Sequence, residues 1–501
     1  MESYEDQYTR LLNELEKIAY FLLKSEFSTI QELWQFELDI INYQSALQEA
    51  IAKEQTLQQE VKRKKTVILD SKPEDWKAQL QQCAIEVKQA DDRIKINQHA
   101  YQLSRQVGDA FAWVLLSDWL IPLTKQPSKH TNDGHRLPKE HGLKGMLAIG
   151  EGLCNAGAGF PILHDITNCL CTGDITFYSP DKEHITIEVK THFKGQEEGL
   201  INLDVEVHLA ALADSALAEK WQAINNRLPK FPSLVSPERE KQDTHSLPRQ
   251  PEGRLKRQIE RMRQARIWQS VSPHQTVKLD ERNTIIGIDS TQTEKTYHWE
   301  IVRDLVNKAR ADGIASCAVD NAFVYIAFYN DIPLSYPWSP QDVIQDLVRS
   351  SNSLVADTRS ILYSEAEREK NNLWLSASTP PSGSLPFLLY PLPIEVIMDI
   401  LWGRLTLSVI VNQGKVVAAL EEIGLSVKVP RSEEEFHKSF LPIFIVRKLG
   451  NHTIKVELHQ LHTVGLKMMH EFLSLQGFVG CVSEFVEGAE EQARKQMERA
   501  E

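Results

Sequence analysis

The chain has 501 residues, 42% of them hydrophobic and 25% charged, enough for roughly two to four domains with cores of their own. A formal net charge of -13 excludes a protein that coats nucleic acid over its whole surface, but not one with a local basic groove. No uninterrupted apolar run reaches membrane-spanning length, since the richest, 385–411, carries Glu395, Asp399 and Arg404. Six scattered cysteines suit a reducing cytoplasm, and the acidic start, Met1 to Asp6, predicts no secretory leader. Cys169-Leu170-Cys171 lacks a second close pair, so buried thiols are expected there rather than zinc.

From Tyr4 to about Leu120 the chain reads as helical. Trp76, Leu80, Cys83, Val87, Ala90 and Ile94 are spaced four and three apart, which is an a/d seam. Ser71-Lys72-Pro73-Glu74 before it predicts a capping box with proline in the first turn. A preceding helix over about 30–67 therefore ends near Asp70, and the two fold back as an antiparallel hairpin. The charged run from Glu49 to Lys65 is a solvated face. Such an arm, over 1–121, serves assembly, with a second copy or a protein partner. The apolar stretch Gly108–Leu116 should pack it onto the next domain, with Asp109 as a cap or surface acid.

Residues 122–137 read as a linker, with Lys125, Lys129, Arg136 and, on its flank, Lys139 and Lys144 available for phosphate contacts. A helix over 142–156 follows, with Leu143, Met146 and Leu147 on one face. Phe160–Thr167 reads as a strand. Ile175-Thr176-Phe177-Tyr178 and Ile185-Thr186-Ile187-Glu188-Val189-Lys190 then alternate with period two around the loop-forming Ser179–His184, a β-hairpin. Asp174 shares parity with Thr176 and Tyr178, and Thr186, Glu188 and Lys190 share one face of the second strand. If Asp174 pairs across from Lys190, two carboxylates and an ammonium meet on one face, a register that needs an odd number of loop residues. Two carboxylates on neighbouring strands make a hard-oxygen site suited to Mg²⁺. A lysine beside it can align water or balance charge on a phosphate.

Gly173-Asp174 followed by Glu188-Val189-Lys190 resembles the PD-(D/E)xK, restriction-endonuclease-like, nuclease superfamily over about 139–268. The resemblance implies an α/β core, a mixed sheet flanked by helices, in a Mg²⁺- or Mn²⁺-dependent nuclease acting on nucleic acid, DNA first, in a prokaryotic restriction, repair or defence role. It implies Asp174 and Glu188 as metal ligands, the carbonyl of Val189 as a further one, Lys190 as the catalytic assistant and Glu151 as a helix-borne acid, with Glu140 behind it. Gln258-Ile259-Glu260-Arg261-Met262 looks like the glutamine motif of RecB-like members, with Met262 where the family has an aromatic. His164-Asp165 matches the dipeptide of HD-type phosphohydrolases, but its neighbours read as strand. A non-enzymatic coiled-coil scaffold or nucleic-acid-binding protein with a relic core is the rival from another class.

Ile201–His208 alternates as a further strand, Ala210–Asn226 reads as a helix, and 229–253 as a mobile insertion. Arg254, Lys256, Arg257, Arg261 and Arg263 on the next helix form the best basic patch in an acidic chain, a candidate nucleic-acid contact. Strands are expected at Thr284–Ile288 and on both sides of Asp320-Asn321, the latter pair able to extend the core sheet, with a helix from Trp299 to Gly313 between. The nuclease-like domain thus spans 122–340. The remainder, 341–501, reads as mainly helical, with a helix from Pro393, short strands near 425–429 and 443–448, and a charged tail.

Overall fold

The structure is a computed structural model that describes residues 4–24, 27, 29–116, 137, 140–155, 159–170, 174–178, 184–197, 200–209, 276–278, 284–286, 296–330, 373–377, 385–428, 444–449, 452–457 and 461–500. It divides into two compact units, Met1–Ile267 and Trp268–Glu501. The helical arm and the hairpin sheet, expected as separate domains meeting near 121, both fall in the first. The boundary expected at 340 gives way to a sheet that joins strands from both of its sides.

The first unit opens with three helices, α1 (Tyr4–Lys24), α2 (Ile30–Ser71) and α3 (Trp76–Leu115). A capping box starts α2: the Thr29 hydroxyl accepts from the Glu32 N–H, and the Glu32 carboxylate accepts from the Thr29 N–H. At its other end Lys72 turns the chain with φ 41°, the left-handed stop that ends many helices. The capping box expected at 71–74 does not form. Ser71 is still inside α2, its hydroxyl donating back to the Val67 carbonyl, and Asp75 takes the N-cap position of α3.

The hairpin is antiparallel, as Arg93 to Glu54 at 2.8 Å and Gln48 to Tyr101 at 3.1 Å show. Its seam is the a/d pattern: Cys83 is buried with Val61 and Ile68, and Trp76, Leu80 and Val87 pack around them. Leu12, Leu15 and Ala19 of α1 are wholly buried, and the Tyr43 hydroxyl donates to the Leu11 carbonyl.

A fourth helix, α4 (Glu140–Asn155), precedes a four-stranded sheet of β1 (Phe160–Leu163), β2 (Ile175–Tyr178), β3 (His184–Glu197) and β4 (Leu200–Leu209). The strands follow sequence order and every pairing is antiparallel. The expected mixed sheet is therefore absent among the described residues, because short local connections favour a meander. Phe160–Thr167 is not one strand: after Leu163 the chain closes a 3₁₀ turn over His164–Ile166. The end of α3 packs onto this region as expected, with the Phe111 ring 4.9 Å from Phe36 and 5.8 Å from Phe160. Gly108 lies so close to the turn that a Cβ there would stand 2.1 Å from the Ile166 carbonyl oxygen.

In the second unit α5 (Trp299–Asp312) leads into β7 (Ile314–Val319) and β8 (Phe323–Tyr329), after a small ribbon of β5 (Thr276–Lys278) and β6 (Thr284–Ile286). Asp320 and Asn321 between β7 and β8 have φ of 54° and 52°, as a tight hairpin turn demands. These strands do not extend the sheet of the first unit. They pair instead with β9 (Leu373–Ala377) and β10 (Leu405–Asn412) in the order β7-β8-β10-β9. Strands at 426–428, 444–449 and 452–457 form a third antiparallel sheet, the first two of them where short strands were expected, and helices outweigh strands among the described residues after 341. The helices of this region are α6 (Ile394–Leu401), α7 (Gln413–Glu422), α8 (Leu461–His470) and α9 (Leu475–Ala500). No helix among the described residues is long and apolar enough to cross a membrane.

Candidate functional site

The hairpin pairs Ile175 with Ile187, Thr176 with Thr186, Phe177 with Ile185 and Tyr178 with His184. His184 thus belongs to β3 rather than to the loop, which leaves residues 179–183 between the strands. Extending this register by one residue sets Asp174 across from Glu188, not across from Lys190 as expected. Asp174 itself precedes β2, and its carboxylate meets the β3 main chain at Val189. Positions 188 and 190 share one parity along β3.

Asp174 prolongs the ladder on both of its sides. Its carbonyl accepts from the His164 N–H at 2.9 Å, and its carboxylate Oδ2 accepts from the Val189 N–H at 2.6 Å. In a strand the N–H and C=O of one residue point to the same edge. The Val189 carbonyl is therefore directed to the edge where Asp174 lies, beyond the end of β2.

The donors at these positions are carboxylates and a main-chain carbonyl, a hard-oxygen set that fits Mg²⁺ or Mn²⁺. Among the described residues, no group of three or more His, Cys, Asp or Glu side chains is assembled for a metal.

β4 adds three facing positions that the sequence reading did not use. Glu188 pairs with His208, Lys190 with Glu206, and His192 with Asp204. Their signal was present in the alternation of 201–208, where the polar residues all share one parity.

Glu151, offered as a helix-borne acid, is in α4. It is on the exposed side of α4, whose buried stripe is Met146, Ile149, Gly150, Leu153 and Cys154. One residue past Gly150, it is turned about 100° from the centre of that stripe. Gln258, Arg254, Lys256, Arg257, Arg261 and Arg263 lie outside the described residues, as do the helix over 210–226 and the insertion over 229–253. His164 is buried in the one-turn 3₁₀ helix, with Nε2 2.7 Å from the Thr176 hydroxyl, a setting unlike the long helices of HD-type enzymes.

Two buried acids that the sequence reading passed over, or placed at the surface, hold the frame around the hairpin. Asp109, expected as a cap or surface acid, is only 2% exposed. Its carboxylate accepts the Asn168 N–H at 2.5 Å, the Asn168 side-chain amide at 2.9 Å and the Cys169 N–H at 2.8 Å. Burial raises its pKa, and the Asn168 and Cys169 bonds and nearby Arg105 work against that rise. Glu37 of α2 is wholly buried, and its Oε1 accepts the Leu163 N–H of β1 at 2.9 Å. Its Oε2 has no partner, and burial lifts its pKa well above the ordinary carboxylate value. Beside it, burial and the Glu37 charge push the Cys154 thiol up to about 12. The available signal was position: Glu37 and Gln44 interrupt the apolar stripe of Phe36, Ile40, Ile41 and Leu47.

No protein-family model, no curated protein and no solved structure matches the chain.

Proposed function

We propose that this protein is a metal-dependent phosphodiesterase that cleaves nucleic acid, with DNA as the substrate to test first. The observation that carries the reading is the Asp174 carboxylate accepting the Val189 N–H of β3, the residue between Glu188 and Lys190. Asp174, Glu188 and the Val189 carbonyl would hold Mg²⁺ or Mn²⁺ from neighbouring strands. Bound there, the ion would polarise a phosphoryl oxygen and acidify a water. Lys190 aligns the attacking water and balances charge that develops on the phosphate. Gln258 and the basic run Arg254, Lys256, Arg257, Arg261 and Arg263 supply the contacts to the strand, and the α2–α3 hairpin serves self-association or partner binding. The core would then be a variant of the restriction-endonuclease-like fold. Incubating the purified chain with supercoiled plasmid and single-stranded DNA, with Mg²⁺, Mn²⁺ or a chelator, tests the reading. Nicking or degradation only with metal is the expected outcome.

A second reading has its own observation. The register of β3 and β4 sets an acidic residue opposite a basic or imidazole one at three positions, 188 with 208, 190 with 206 and 192 with 204. Such a ladder stabilises an exposed ribbon with no chemistry at all, each pair contributing roughly 0.2–1 kcal/mol. On that reading the chain is a scaffold, Lys190→Ala weakens the ribbon, and no cleavage occurs under any metal condition.

A further inference from the structure

The outer half of the α2–α3 hairpin is a bare two-helix stalk. Past Leu47 the buried residues of α2 are Val61 and Ile68 alone, and before Ile94 those of α3 are Cys83 and Ala90 alone. At 1.5 Å per residue the stretch of α2 from Leu47 to its end is about 35 Å long. Towards that end stand four consecutive cations, Lys62, Arg63, Lys64 and Lys65, all exposed. We propose that these four side chains grip the phosphate backbone of duplex DNA. The inference rests on the nucleic-acid half of the phosphodiesterase reading and gives the helical arm its partner.

The argument begins with charge. Between 61 and 82 the four cations, joined by Lys72 and Lys77, stand against only Asp70, Glu74 and Asp75, in a chain of net charge -13. None of the four makes an ion pair among the described residues, whereas Arg93 nearer the base of the stalk is paired with Glu54 at 2.8 Å. Acids of the stalk bond glutamines instead: Asp75 accepts from Gln79 at 2.7 Å, Glu86 from Gln82 at 3.0 Å, and Asp91 from Gln58. Because Cys83 packs with Val61 and Ile68, the segment of α3 across from 62–65 is Gln79–Gln82, which carries no charge. Like charges this close repel within a Debye length of about 8 Å. A polyanion removes that repulsion and sheds its own condensed counterions as it binds.

The geometry selects a groove. Successive helical residues are turned about 100° from one another, so the four cations are spread around α2 rather than along one face. The major groove of B-DNA, about 12 Å wide, admits a helix between two walls of phosphates, and cations on several sides of the helix can meet both. A flat anionic surface meets only some of them. Val67 and Leu69, one turn on, are 64% and 42% exposed, which is what a lipid surface would use, so vesicles form the contrasting arm of the test.

The test is binding of the full chain to a fluorescent DNA duplex in chelator, so that no cleavage intervenes, read by anisotropy from about 50 to 200 mM salt. The variant carries Lys62→Gln, Arg63→Gln, Lys64→Gln and Lys65→Gln, because glutamine matches the helix propensity of the residues it replaces. Each lost phosphate contact flattens the plot of log affinity against log salt by about 0.9, so the slope should fall by about 2–4 and the affinity by about tenfold or more. Melting temperature should stay at the wild-type value. Arg494→Gln with Lys495→Gln on α9, two cations already paired with acids, is the charge control and should change neither slope nor affinity. An unchanged slope in the fourfold variant, an equal loss in the control, or wild-type binding to phosphatidylserine vesicles but not to the duplex overturns the proposal. Metal-dependent cleavage by a chain whose duplex binding ignores the four substitutions leaves the phosphodiesterase reading standing without this contact. Duplex binding that depends on them, in a chain that cleaves under no metal condition, leaves the contact standing without the chemistry.

Discussion

Asp109→Ala should damage the frame that presents the hairpin. The wild-type carboxylate accepts the main-chain N–H groups of Asn168 and Cys169 and the side-chain amide of Asn168. Cys169 is 1% exposed, so its N–H finds no water when the acceptor is removed. An orphaned buried donor costs about 1–3 kcal/mol, and the substitution orphans two on the main chain. The half-buried Asn168 side chain can turn to solvent, and losing a buried carboxylate recovers part of its desolvation cost. The net loss should be about 3 kcal/mol. Every 1.4 kcal/mol is a factor of ten, so opening of the 164–170 turn should become about a hundredfold more frequent. Native-state hydrogen exchange at Cys169, with the β1 amides as reference, reads this directly. Asp109→Asn keeps one acceptor oxygen and should fall between. Unchanged exchange at Cys169 in Asp109→Ala would refute the assignment of Asp109 as the anchor of this turn.

The other expectations concern single groups. Glu37 keeps its proton in the folded state to a pH well above 4.5, whereas the unfolded chain releases it near that value. Glu37 therefore contributes a loss of stability as pH rises from 4.5 towards its folded pKa. Glu37→Gln should remove this slope from the difference curve of urea midpoints, and parallel curves would refute it. His470, 7% exposed, is held down to about 4 by burial, below its ordinary 6.5. The unfolded chain thus takes up a proton first as pH falls from 6.5 to 4, and the second unit should lose about 3 kcal/mol across that window. His470→Gln should flatten the acid limb, and an unchanged limb would contradict the burial argument. Lys190→Ala should cost less than about 1 kcal/mol of stability and lower cleavage by about a hundredfold or more. Lost stability with unaltered cleavage would favour the charge ladder over chemistry.

Local patterns were legible in the sequence and non-local pairings were not. The a/d spacing of 76–94 identified the seam between α2 and α3, because helical period alone says which face is buried. Asp320-Asn321 announced its turn because few other residue pairs tolerate positive φ twice in succession. Alternation at 185–190 placed Glu188 and Lys190 on one face of β3 but left the register open. The register turned on one residue, His184, which joins the ladder opposite Tyr178. Nothing local in 405–412 says that it meets Phe323–Tyr329 on one side and 373–377 on the other, so the sheet of the second unit was out of reach. Asp109 read as a surface acid because burial of a carboxylate depends on the donors that reach it, here from residues 168 and 169. Ser71 and Pro73 looked like the start of a helix, yet the left-handed Lys72 ends the preceding one there instead.

The central claim is that the hairpin acids bind the metal that drives cleavage, and Asp174→Asn tests it most directly. The amide oxygen can still accept the Val189 N–H that Asp174 now takes at 2.6 Å, so the ladder persists while the charge is gone. Wild type and variant should be compared on plasmid and on an end-labelled single strand, in Mg²⁺, in Mn²⁺ and in chelator, with melting temperature followed in parallel. The account predicts metal-dependent cleavage by the wild type, a loss of about a hundredfold or more in Asp174→Asn, and nearly equal melting temperatures. Absence of metal-dependent cleavage by the wild type, or wild-type rates in Asp174→Asn, would contradict it.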